Sequence, residues 1–267
     1  MSRALLEIED LTVAYRSEDG RVTTAAEGVT LSLDRGESLC VVGESGSGKS
    51  SVAMSVARLL PSPPAFWPKG RILFDGEDVL AMDVARLREL RGRRIGVIFQ
   101  DPMGSLSPLH RIDDQLVETV FLHERMAKES AREFAVEWLG KVGVDDPARV
   151  ARAYPHELSG GQQQRVMIAM AMMLGPDLLV ADEPTTALDV TVQKQILALM
   201  RGLVGEKGAL LMITHDLGVV SEMATKLAVM KDGRVIETAA DVREFFRRPQ
   251  HPHSQALVAE ARKMELE

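Results

Sequence analysis

The chain has a single cysteine, Cys40, in 267 residues. That excludes a disulfide framework and a cysteine-built zinc or iron–sulfur site, and it fits a reducing compartment. A long apolar run is also missing. The longest, Val166 to Leu174, is about half of the roughly 20 residues that a membrane-spanning helix needs. No secretory signal is expected, because Glu7, Glu9 and Asp10 stand where its apolar segment would lie. Nor is there an excess of basic charge. Asp and Glu outnumber Lys and Arg by 39 to 32, for a formal net charge of −7, which argues against nucleic acid as the main partner. There is no internal repeat.

What remains is ordinary globular composition, 45% apolar and 27% charged, with enough chain for one large domain or two small ones around a substantial core. The expectation is a soluble cytoplasmic protein that reaches a membrane, if at all, through a partner.

Residues 5 to 42 read as short strands. Leu6, Ile8, Leu11 and Val13 are apolar at near-alternate positions, Asp19-Gly20 supplies a turn, and Val29, Leu31 and Leu33 resume the alternation. Leu39 to Val42 is a compact apolar run of the kind buried on both faces of a parallel sheet. A helix is predicted from about Ser50 to Leu60. The four prolines between Pro61 and Pro68 predict a loop. Arg71 to Leu80 reads as a hairpin about Asp75-Gly76, Arg86 to Arg94 as a basic helix, and Ile95 to Phe99 as a buried strand. From Leu106 to Leu174 strand signals vanish and helical periodicity takes over, with Phe134, Trp138 and Leu139 on one face. Leu178 to Ala181, Leu210 to Thr214 and Lys226 to Met230 then alternate as strands with helices at Val190 to Val204 and Leu217 to Ala224. Such alternation means a parallel α/β core. The segment from Asp241 onward reads as helical and polar.

Three motifs carry chemistry. Gly43-Glu44-Ser45-Gly46-Ser47-Gly48-Lys49-Ser50 matches G-x-x-x-x-G-K-[ST] between a buried strand and a helix. The glycines let backbone N–H groups curl around phosphate oxygens, Lys49 reaches the β- and γ-phosphates, and the Ser50 hydroxyl can ligate Mg²⁺. The strand–loop–helix context favours this over a flexible Gly/Ser turn. Leu178 to Ala181 ends in Asp182-Glu183, which puts two carboxylates at the carboxyl edge of a parallel sheet, where ligands bind. Asp182 would hold the Mg²⁺ shell and Glu183 would orient water for attack on the γ-phosphate; alone, the pair is equally a helix cap and first-turn acid. Ser159-Gly160-Gly161-Gln162 opens an apolar helix. It is either a capped helix start or a second anion site. Three single residues sit at element ends: Gln100 could contact Mg²⁺ or the attacking water, His215 the γ-phosphate, and Tyr15 a purine. Each by itself is more often plain polar edge or packing.

In the order Tyr15, phosphate loop, Gln100, Leu158-Ser159-Gly160-Gly161-Gln162, Asp182-Glu183, Ala187-Leu188-Asp189 and His215, the set resembles the nucleotide-binding subunit of ATP-binding cassette (ABC) transporters. The stretches Val97 to Pro108, Tyr154 to Gly161 and Ala181 to Val190 are similar to the oligopeptide, dipeptide and nickel import branch. His251-Pro252-His253 resembles that branch's His-Pro-Tyr segment, with His253 in place of tyrosine. The resemblance implies an α/β fold, a RecA-like P-loop NTPase core with an antiparallel β-subdomain and an inserted α-helical subdomain. On that basis residues 1–240 form the ATPase domain, with the helical insertion at about 104–174, and residues 241–267 a short C-terminal helical extension. ATP and Mg²⁺ are the implied ligands, with Gly43 through Ser51 on the phosphates. A second ATPase subunit, the same or a near-copy, is implied to present Ser159 to Gln162 to the first subunit's nucleotide, with Leu188 and Asp189 on the seam. Two permease subunits and an extracytoplasmic solute-binding protein complete the implied assembly, placing this chain on the cytoplasmic face of the inner membrane. Uptake of nickel, a metallophore or an opine, a phosphonate-degrading complex, export, and a non-hydrolysing nucleotide-dependent scaffold are the competing readings. Long coiled coils and zinc modules, which mark DNA-associated members, are not visible, and the presence of Glu183 and His215 disfavours the scaffold.

Overall fold

The computed structural model describes residues 4–186 and 188–264. Ala187, part of the Ala187-Leu188-Asp189 motif, and the last residues of the acidic tail lie outside the described residues. The first elements are β1 (Leu6–Arg16), β2 (Val22–Leu33), β3 (Ser38–Val42), α1 (Lys49–Val56), β4 (Ala65–Phe74), β5 (Glu77–Asp78) and α2 (Val84–Leu90). Then come β6 (Ile95–Ile98), α3 (Pro102–Ser105), α4 (Ile112–Phe121), α5 (Lys128–Lys141), α6 (Pro147–Arg152), α7 (Gly160–Met172), β7 (Leu178–Asp182) and α8 (Val190–Val204). The chain closes with β8 (Ala209–Thr214), α9 (Leu217–Met223), β9 (Lys226–Lys231), β10 (Arg234–Ala239), α10 (Val242–Arg247) and α11 (Pro252–Met264). It divides into two compact units, Met1–Leu87 with Glu206–Glu267, and Arg88–Gly205.

The first unit holds two kinds of sheet. β1 runs antiparallel to β2 (Leu6↔Leu33, Ile8↔Leu31) and to β4 (Leu6↔Phe74, Ile8↔Ile72). Its alternation buries Leu6 and Ile8 and turns Glu7 and Glu9 outward, as expected of a sheet with one wet face. β3 is parallel to β8 and β9. Leu39, Cys40, Val41 and Val42 are all buried, so this strand is covered on both faces. Burial pushes the Cys40 thiol up to about 12, which leaves almost no thiolate at neutral pH. A maleimide or disulfide reagent is therefore expected to spare the native protein and to label Cys40 only as fast as the chain unfolds. Stoichiometric labelling within minutes under native conditions would contradict that.

In this unit the predicted helix Ser50 to Leu60 is shorter, Lys49–Val56, and two further readings are corrected. The segment from Pro61 to Pro68 is not a loop throughout: β4 starts at Ala65 and runs through Pro68. Proline is tolerated because the β1–β4 register slips between Thr12↔Lys69 and Ala14↔Phe66. On the other side, β5 pairs with Leu73 and Phe74, so at Pro68 no ladder bond is lost there. β10 was not expected. It pairs antiparallel with β9 after the Asp232-Gly233 turn, and its burial shows no alternation, so periodicity had nothing to display.

In the second unit β6 and β7 are parallel, Ile95↔Leu178 through Ile98↔Ala181, and the chain between them is helical and strand-free. Gly96 of β6 has no room for a side chain. A Cβ there would lie 2.3 Å from the Ala171 carbonyl oxygen, so glycine lets α7 press against the strand. The buried stripe of α5 is Ala131, Ala135 and Leu139. Phe134 and Trp138 flank it half-buried, edge to face at 6.3 Å, rather than sharing the buried face with Leu139. Among the described residues no helix is long and apolar enough to cross a membrane.

Candidate functional site

The phosphate-loop motif lies between the end of β3 at Val42 and the start of α1 at Lys49. Its glycines answer to close approach and to backbone conformation. A Cβ on Gly43 would sit 2.1 Å from the Met230 carbonyl oxygen, and one on Gly48 2.2 Å from that of Ala25. Gly46 and Gly48 take φ of 80° and 95°, where a side chain is strained. Gly48 caps α1 without a side-chain hydrogen bond, so no cap side chain takes the first N–H groups of that helix. Lys49 is only 4% exposed. Its ammonium donates to the carbonyl oxygens of Gly43 and Glu44 at 2.7 Å each and to Ser47 Oγ at 3.4 Å. The lysine thus closes its own loop into a cradle, with Ser45 and Ser50 exposed. Narrow glycine clearances, a held cation and a helix start with no cap side chain fit the phosphate chain of a nucleotide.

Tyr15, near the end of β1, is half-buried and shares a 3.0 Å hydrogen bond with Ser51 Oγ. This ties the strand to the first turn of α1. His215 follows β8 and is exposed. Because Val42 pairs with Thr214, Gly43 and His215 leave adjacent parallel strands at the same end.

Gln100, Asp182 and Glu183 are brought together in the second unit. The register Ile98↔Ala181 puts them past the same ends of β6 and β7. Asp182, the last residue of β7, is buried. Glu183 has φ of 45°, a left-handed conformation that costs a non-glycine residue about 1 to 2 kcal/mol. Its Oε2 accepts from Gln100 Nε2 at 3.2 Å and from Thr186 Oγ1 at 2.9 Å. A strained turn and two donors fix the direction of this carboxylate. Thr186 belongs to none of the three chemistry-bearing motifs singled out above; its one sequence signal is a hydroxyl three residues after the acid. Among the described residues no group of three or more His, Cys, Asp or Glu is clustered to hold a metal ion.

Ser159 caps α7 in a reciprocal box: its Oγ accepts from Gln162 N at 3.3 Å, and Gln162 Oε1 accepts from Ser159 N at 3.1 Å. Gly161 faces Val192, whose Cγ1 would be 3.3 Å from a Cβ. Gly160 is exposed and has nothing within 4 Å of a Cβ. Capping and packing inside the chain therefore account for Ser159, Gly161 and Gln162, and leave Gly160 without a reason. Asp189 caps α8 through Thr191 N and Val192 N.

Residues 26–186 match the family model described as ABC transporter. The chain belongs to the ABC transporter family. This ABC chain is 46% identical to the oligopeptide transport ATP-binding protein OppD of Bacillus subtilis, over 96% of its own length and 71% of that protein's. It is 48% identical to a probable peptide ABC transporter ATP-binding protein of Sinorhizobium fredii, over 95% of its length and 76% of the relative's. A peptidoglycan transport ATP-binding protein, YejF of Agrobacterium fabrum, is also 48% identical, but there the chain spans about half of the relative, 47%. Among solved structures it resembles the dimeric ATP-binding cassette MJ0796 in a post-hydrolysis state bound to ADP and Pi. The TM-score is 0.78 at 29% identity, covering 89% of this chain and 99% of that one. The architecture is that of a RecA-like P-loop ATPase core, and family and fold together make the chain an ATP-binding ATPase.

Proposed function

We propose that this ABC ATPase powers the uptake of peptides through partner permease subunits. The observation that carries the reading is 46% identity with an oligopeptide transport ATP-binding protein across 96% of the chain. Lys49 and the backbone of residues 43–51 hold the phosphates of ATP, and Tyr15 lies against the purine. Glu183, aimed by Gln100 and Thr186, orients water at the γ-phosphate and draws off its proton as it attacks. His215 hydrogen-bonds the γ-phosphate. Ser50, Gln100 and Asp182 are the residues that would hold Mg²⁺, with further ligands from phosphate and water. When bound, the ion neutralises charge developing on the phosphate oxygens.

The second half of each clamp comes from Ser159, Gly160, Gly161 and Gln162 of a second ATPase subunit, identical or closely similar, with Leu188 and Asp189 on the seam. ATP with its γ-phosphate bridges both subunits and ADP holds one, so nucleotide state biases closed against open. Two permease subunits dock near Gln100 and the helices after it, and a solute-binding protein delivers cargo on the far side. The chain then works at the cytoplasmic face of the membrane. Residues 1–240 form the ATPase domain, with its helical insertion at about 104–174, and residues 241–267 the extension.

The test is to purify the protein with its membrane partners, reconstitute them with the solute-binding protein, and measure which solute raises ATP turnover. Short peptides are expected to stimulate it severalfold. Stimulation by nickel chelates or opines alone, or failure to recover any permease, would overturn the peptide reading.

A further inference from the structure

The start of α11 is fastened beside the phosphate loop. Glu237 of β10 accepts from Gln250 N and from His251 N, each at 2.8 Å. Burial raises the Glu237 carboxyl pKa, but those N–H groups more than offset it and hold it below the usual range. His251 Nδ1 in turn accepts from His253 N at 3.1 Å. The His253 side chain is only 11% exposed, and its Nε2 faces Glu44 Oε1 at 3.7 Å. That nitrogen is buried and makes no hydrogen bond. A buried polar atom without a partner is costly, and the carboxylate that faces it is 68% exposed and can turn. Glu44 is no bystander. Its carbonyl oxygen accepts from the Lys49 ammonium at 2.7 Å and from Ser47 N at 3.2 Å, so the position of Glu44 is part of the position of the lysine.

We propose that His253 is a positioning residue for the phosphate loop: its Nε2–H engages the Glu44 carboxylate and thereby holds the carbonyl that orients Lys49. The role rests on residues 43–51 being the ATP site. It makes the segment after β10 part of the loop's support, since Glu237 sets the helix start, the helix start sets His253, and His253 steadies Glu44. Preorganising a binding loop lowers the ordering cost on association, so the effect falls on nucleotide affinity and KM, with kcat at saturating ATP left nearly unchanged.

The test uses trinitrophenyl-ATP binding to the full chain, followed by KM and kcat for ATP. His253→Ala is expected to weaken binding about three- to tenfold, the range of a modest charge-assisted hydrogen bond, with kcat within about twofold. His253→Gln, which offers an amide N–H at comparable reach, should recover affinity to within about twofold. Glu44→Ala should lose affinity to the same extent as His253→Ala, and in affinity the double variant should be no weaker than either single one. Glu44 lies on the exposed side of the loop, so its variant stands in if His253→Ala fails to fold. Wild-type affinity in His253→Ala, failure of the glutamine rescue, or additive losses in the double variant would overturn the proposal. Lys49→Ala separates the two claims. If it binds the probe as the wild type does, the loop is not the nucleotide site and both readings fall together. If it does not bind, the loop assignment stands whatever His253 does.

Discussion

Glu183→Gln is expected to bind ATP within about twofold of the wild type while turnover falls at least a hundredfold. The amide keeps the size and the hydrogen-bonding reach of the carboxylate, so Gln100 and Thr186 can still hold it in the turn that follows β7. In the proposed mechanism what disappears is the negative charge that polarises water, and losing a general base costs about a hundredfold to ten-thousandfold. The left-handed φ of Glu183 makes the position demanding, so the variant should melt close to the wild type only because the side-chain shape is preserved. Single-turnover hydrolysis and equilibrium binding measured on the same preparation check this. Undiminished hydrolysis would remove Glu183 from the mechanism.

Gly160→Ala carries the other large effect, and the argument comes from what surrounds it. Nothing lies within 4 Å of a Cβ at this position, and the residue stands in the first turn of α7 behind a complete capping box. Alanine there should leave thermal stability unchanged or raise it by a few tenths of a kcal/mol, because it is the better helix former. Turnover is nonetheless expected to fall about a hundredfold, since in the proposed clamp the methyl group would intrude where the phosphate held by the second subunit approaches the helix start. A stable but inactive variant locates the requirement outside the chain's own fold. A variant as active as the wild type would leave Ser159 to Gln162 as a capped helix and nothing more.

Much of this was legible because the motifs sit at element ends. A run buried on both faces, Leu39 to Val42, predicts a strand, and the G-x-x-x-x-G-K-S spacing predicts the loop after it; β3 and the Lys49 cradle follow that reading closely, whereas α1 ends at Val56, four residues short of the expected Leu60. The helix Val190 to Val204 appears with the expected bounds because Asp189 before it and the apolar spacing within it agree. β4 was misjudged because proline counts weigh against strands, while the register slip that excuses Pro68 exists only once β1 is paired. β10 escaped because its exposure does not alternate. At the site, residue types pointed to Lys49, Asp182 and Glu183. The strained turn at Glu183, its bond from Thr186 and the approach of His253 to Glu44 join residues by backbone direction or from distant segments, which composition and spacing do not encode.

The measurement that bears most directly on the two-chain clamp is ATP turnover per chain followed across a hundredfold range of protein concentration, with Ser159→Ala and Gly160→Ala run alongside. Turnover per chain is predicted to rise with concentration toward a plateau, and both variants are predicted to stay near zero throughout. Full activity at the lowest concentration, shared by both variants, would mean that one chain completes the reaction alone.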